Sequence, residues 1–197
     1  MGSNSIIKQS TVISGRNGSL TIVNNHITYY TPSGAEIEIC ITPPHQFARH
    51  HQRQLLPGWD TSLSYLIFIL QRSSISFQET TFEVALEKNR LRARFVRLGC
   101  SLSFALQQQK YLSDLFDPLT GRPFLGNSGS TWDDNAAVSA LLNYPVISYQ
   151  NCTLLLHPIW KNNVYPATIV TSAPQVAIKS CLAQVIADHS WKSAIDN

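Results

Sequence analysis

The residues with the clearest capacity for chemistry lie in the run Asn151-Cys152-Thr-Leu-Leu-Leu156-His157-Pro158-Ile-Trp160. A thiolate is a soft metal ligand, so Cys152 is a candidate for ligation to a soft centre. The competing role is a small buried hydrophobe at a strand start. His157, at the expected strand end, suits donation to a ligand, a carboxylate or a partner chain, or else a bond to backbone. Trp160 is either an interface anchor or a cap on the core. Five residues separate Cys152 from His157, which on a regular strand means about 16 Å and opposite faces. Joint use of the two therefore requires a bulge, a bend or a surface that wraps the strand end.

Other polar clusters carry less. Asp117-Pro118-Leu-Thr120-Gly121 is a turn in which Asp caps backbone amides and Gly supplies a positive φ. Gly126-Asn-Ser-Gly129 ahead of Thr131 has the makings of an anion-binding loop but matches no dinucleotide or P-loop signature. Arg90, Arg94 and Arg97, flanked by Lys88 and Arg92, fall on one helix face and read as solvated. The cluster His45, Arg49, His50, His51 and Arg53 has no histidine pair at the spacing a helical metal site needs. No Ser-His-Asp or Cys-His-Asn arrangement is recognisable, so no catalytic residue is assigned.

The elements that must position these residues follow from periodicity. Ser19–Val23 and His26–Tyr30 read as a hairpin around Asn24-Asn25, and Ala35–Ile41 alternates as a strand with one wet face. Thr42 before Pro43-Pro44 is expected to cap a helix reaching about Leu55. Leu63–Leu70, apolar on both faces, is expected at the centre of a sheet. A long helix is expected over Gln78–Gln108, with a buried stripe of Val84, Leu91, Phe95, Leu98, Leu102 and Ala105 and Gly99 as the place for a kink or break. Tyr111–Phe116 reads as a strand. A capping box at Ser130-Thr131 opens a short helix through Leu142. Strands at Val146–Tyr149, Thr153–Leu156 and Val164–Thr171 precede a helix from Pro174. The order indicates an α+β fold, a mainly antiparallel sheet covered by helices. Residues 1–15 are expected to be a flexible segment and 16–197 one domain.

Composition bounds the class. At 197 residues the chain can bury one sizeable core. Charged residues make up only 14%, against roughly 25% in an average protein, and the net charge of +3 gives no case for nucleic acid. No apolar run reaches the roughly 18 residues of a membrane span. Cys40, Cys100, Cys152 and Cys181 are widely spaced with no Cys-x-x-Cys pair and no signal peptide, so reduced thiols in a cytoplasmic setting are expected and no metal site is assigned.

Three stretches in order, Asp114-Leu-Phe-Asp117-Pro118-Leu-Thr120-Gly121-Arg-Pro-Phe124-Leu-Gly126, the Asn151–Trp160 run, and Val164-Tyr-Pro-Ala-Thr-Ile-Val-Thr171-Ser-Ala173, resemble the C-terminal domain of the methylmalonic aciduria and homocystinuria type D protein family. The resemblance covers roughly Ile39 to Ala173. It implies a nitroreductase-like α+β fold and a non-catalytic adaptor that directs intracellular cobalamin through protein–protein contacts. It implies a cobalamin-processing partner of related fold, with Cys152 toward the cofactor and His157 and Trp160 toward the partner. Cobalamin is then the cofactor, held transiently, and no flavin is expected. The family has two adjacent cysteines where this chain has Asn151-Cys152. The first, associated with the cobalt–sulfur interaction, is here Asn151. Two other classes stay open: a flavin-dependent nitroreductase-like reductase, and an interaction module with no cobalamin role.

Overall fold

The computed structural model describes residues 26–149 and 152–194, with Cys152 described in its backbone only. The expected strand Ser19–Val23 and the expected flexible segment 1–15 lie outside the described residues. A six-stranded sheet runs in the order β4-β7-β3-β2-β1-β8, and every pairing in it is antiparallel. Its strands are β1 (His26–Tyr30), β2 (Glu36–Thr42), β3 (Tyr65–Arg72), β4 (Ser113–Leu115), β7 (Val164–Thr171) and β8 (Lys192–Ser193). A separate hairpin pairs β5 (Val146–Tyr149) with β6 (Cys152–Leu155).

The sheet is covered on both faces, so its inner strands are apolar without alternation. Strand β3 is the clearest case: Leu66 to Leu70 are all fully buried. Ile37, Ile39, Ile41, Ile67, Ile69 and Ile169 point to one face and meet α3 (Phe82–Gln108) and α5 (Gln175–Asp188). Cys40, Leu66, Phe68, Leu70 and Val170 point to the other. There they meet α1 (Gln46–His50), α2 (Gln52–Leu55), α4 (Asp134–Leu142) and the β5–β6 hairpin.

Several expected boundaries move, each for a local reason. Thr42 is the last residue of β2, paired with Leu66, and the two prolines after it keep the chain extended, so the helix is capped three residues later by His45. That helix divides at His51 into α1 and α2. Helix α3 starts at Phe82, where the Thr81 hydroxyl accepts from the Val84 amide. It runs unbroken through Gly99. A Cβ at that position would come within 2.9 Å of Leu115 Cδ1, so the glycine lets β4 approach the helix. Helix α4 is capped by Asp133, not Ser130 or Thr131. The Ser130 and Trp132 amides are instead bonded to the Gln54 and Gly121 carbonyls.

Candidate functional site

The turn after β4, the start of α4, strand β6 and the start of β7 surround a cleft of about 580 Å³. Pro118–Gly121, Thr153–Leu155 and Val164–Pro166 line it, so all three chemically suggestive stretches of the sequence meet at one place. Packing explains the convergence. Phe116 stacks on Trp132 at a centroid distance of 5.0 Å, and the Trp132 indole N–H donates to Thr168 of β7. The Thr168 hydroxyl donates in turn to the Asp134 carboxylate at the first position of α4. Burial at the cleft floor, with the charge of Asp133 beside it, pushes the Asp134 carboxyl up to about 7. The cleft therefore holds an acid that exchanges a proton near neutrality.

The opposite wall is ionic. Arg92 of α3 makes a two-pronged bond to Asp117 at 2.6 and 2.8 Å. The guanidinium bonds hold the Asp117 carboxyl below its ordinary value although burial opposes them. Asp117 also accepts the Leu119 amide, so the expected turn forms with Gly121 at φ 68°. The expected solvated helix face is more engaged than its charge suggested. Arg90 chelates the buried Glu87, Arg92 takes Asp117, and Arg94 reaches Gln71. Of the loop suited to anions, Gly126 donates its amide to an anion, as do the two residues before it. The Phe124, Leu125 and Gly126 amides all donate to Asp114, a buried carboxylate of this same chain.

Cys152 opens β6 opposite Tyr149 and precedes Thr153, which lines the cleft. The strand ends at Leu155. Reciprocal backbone bonds between His157 and Lys161 then close a tight turn. That turn begins at His157, past the end of the strand that Cys152 opens. It also decides what the segment presents outward. His157 is 2% and Trp160 6% exposed, and the two rings stack at 4.0 Å. Both side chains lie in the interior, and the turn shows Pro158 and Ile159 to solvent instead, with Ile159 76% exposed. The Trp160 indole N–H is buried without a hydrogen-bond partner.

His157 fixes its turn at both ring nitrogens. Nδ1 lies 3.3 and 3.1 Å from the Ile159 and Trp160 amides and accepts from them, so Nε2 carries the ring proton and donates to Glu38 at 3.1 Å. Glu38, in the middle of β2, also meets Tyr144 Oη at 3.1 Å, His26 Nδ1 at 2.8 Å and Cys40 Sγ at 3.3 Å. Burial works to raise its carboxyl, but the bonds from His157 and His26 outweigh this and keep it ionised well below the usual range. Burial, and then the Glu38 charge, push the Cys40 thiol far up. The alternation Ala35–Ile41 had placed Glu38 on a wet face. The hairpin and the His157 turn close over that face. The signal available in the sequence was a carboxylate at mid-strand between isoleucines.

The family model for the methylmalonic aciduria and homocystinuria type D protein matches residues 8–181. A mouse protein named cobalamin trafficking protein CblD is 23% identical over 152 residues, 77% of this chain and 51% of its own length. Its human counterpart is 22% identical over 152 residues, with the same shares. The rat protein is 23% identical over 147 residues, 74% of this chain and 49% of its own. The chain thus spans about half the length of the curated relatives it matches. With a match running from residue 8 to residue 181, the chain belongs to the methylmalonic aciduria and homocystinuria type D protein family.

Proposed function

We propose that this protein is a non-catalytic adaptor that directs cobalamin to its users through protein–protein contacts, working in the cytoplasm with a cobalamin-processing protein of related fold. Membership of the family and the name shared by its mammalian relatives support the cobalamin half of the reading. The observation that carries the adaptor half is the convergence of Pro118–Gly121, Thr153–Leu155 and Val164–Pro166 on one cleft beside the strand that Cys152 opens. In this reading Cys152 faces the cofactor, and the turn held by His157 and Trp160 is the partner side, with Ile159 as its outward contact. His157 and Trp160 serve there by fixing the turn. Cobalamin is a transient cargo, and no flavin is used.

The test is spectroscopic. Aquocobalamin or cob(II)alamin is titrated with the protein, alone and with the processing partner, and the corrin absorbance is followed. The reading expects a shift with the wild-type chain that Cys152→Ser removes, and a complex that Ile159→Asp weakens. Absence of both the shift and the complex leaves an interaction module with no cobalamin role. Yellow purified protein identifies a flavin reductase.

A further inference from the structure

We propose that His26, Glu38 and Cys40 form a binding site for a borderline divalent cation of the zinc type. Their ligand atoms lie within 4.8 Å of one another. The sheet brings them together in a way that sequence spacing conceals. His26 and Cys40 are direct cross-strand partners of β1 and β2, and Glu38 stands two residues before Cys40, on the same face of β2. A thiol, an imidazole and a carboxylate make a mixed sulfur–nitrogen–oxygen set. Such a set favours zinc or cobalt(II) over magnesium or calcium, which take oxygen alone.

The surroundings are those of a supported site. Ligating carboxylates are held by outer hydrogen bonds, and Glu38 has two of these, from Tyr144 and His157. His157 is not itself a ligand, because its Nε2 carries the proton it donates. Three protein ligands leave a fourth position for water. The ion enters past His26, whose side chain is 30% exposed, whereas Cys40 is buried. Glu38 Oε1 now lies 2.8 Å from His26 Nδ1 and 3.3 Å from Cys40 Sγ. Ligands around a tetrahedral zinc stand about 3.3–3.7 Å apart, so His26 moves outward by under about 1 Å on binding.

The proton balance is simple. The cation replaces the Cys40 thiol proton, which leaves to solvent, and a metal–thiolate bond forms. Glu38 is already ionised. His26 gives up the proton on Nδ1 and offers the Nδ1 lone pair. No oxidation state changes.

The proposal uses neither Cys152 nor cobalamin and stands apart from the adaptor reading. The full-length chain, stripped with a chelator, is titrated with cobalt(II) chloride and then with zinc chloride. The site predicts a saturable thiolate-to-cobalt charge-transfer band with one ion per chain, erased by zinc. Cys40→Ser removes the band and Cys152→Ser keeps it. Because Cys40 is buried, the partly exposed His26 supplies a second variant: His26→Ala weakens cobalt binding at least about tenfold while its circular dichroism matches the wild type. No saturable band, or a band unchanged by either Cys40→Ser or His26→Ala, overturns the proposal.

Discussion

The raised Asp134 carboxyl beside the cleft should make stability fall as pH rises. Its carboxyl is raised from 3.8 to about 7 in the folded protein, mainly by burial. A raised acid binds its proton more tightly folded than unfolded, so its contribution is complete below about pH 4 and is lost as pH climbs through about 7. At 1.36 kcal/mol for each pKa unit, the gap corresponds to at most about 4 kcal/mol. The neighbours that set it are Thr168, Trp132, Asp133 and Asp117. Asp134→Asn keeps an acceptor for the Thr168 hydroxyl and does not titrate. Glu38, Glu87 and Asp117 are shifted downward and lose their contribution only as pH falls, in wild type and variant alike, so they cancel in the comparison. Urea unfolding of both proteins from pH 4 to pH 8 is the assay. Relative to Asp134→Asn, the wild type should lose about 2–4 kcal/mol across that range, a midpoint change of about 1–2 M urea. Curves that stay parallel to within about 1 kcal/mol would show that the carboxyl is solvated and ionised throughout.

Phe95 is fully buried in the face under α3, and Phe95→Ala should cost about 3–5 kcal/mol in denaturant unfolding; under about 1 kcal/mol would place it outside the core. Trp160→Ala should cost a similar about 3–5 kcal/mol. Trp160→Phe should stay within about 1 kcal/mol of wild type, because the indole N–H it removes has no partner. Ile159→Asp should leave the melting temperature unchanged and weaken the complex with the processing partner by about 2 kcal/mol or more in calorimetric titration. Gly99→Val should destabilise by at least about 1–3 kcal/mol, since its side chain meets Leu115; a neutral result would mean that β4 moves away freely.

What was legible was what repeats along the chain. The apolar run of β3, the alternation of β2 and the stripe of α3 each bury many side chains at a fixed period, and the elements appear where the pattern put them. Boundaries set by a single loop contact were not legible. Ser130-Thr131 reads as a capping box, yet the Ser130 and Trp132 amides are spent on the Gln54 and Gly121 carbonyls, and Asp133 caps α4. Gly99 reads as a helix break because its cost to the helix is local, while its benefit, room for Leu115, comes from a strand beyond the helix end. Strand β8 is only two residues long, too short to carry any period.

The chemistry was half legible for the same reason. The stretches that line the cleft stood out by residue type, and the sheet then gathered them. Glu38 did not stand out, because its importance lies in partners 12, 106 and 119 residues away: His26, Tyr144 and His157. A buried carboxylate needs such partners to remain ionised, and only the fold brings β1, the segment between α4 and β5, and the turn at His157 to it. His157 therefore belongs to two structures at once. Its Nδ1 pins the turn that exposes Ile159, and its Nε2 steadies the carboxylate between His26 and Cys40. A change at the proposed cation site that pulls Glu38 away loosens His157, and with it the turn that the adaptor reading offers to a partner. The proposed cation site and the turn offered to a partner thus share one imidazole, and a substitution that removes the Glu38 carboxylate reaches both.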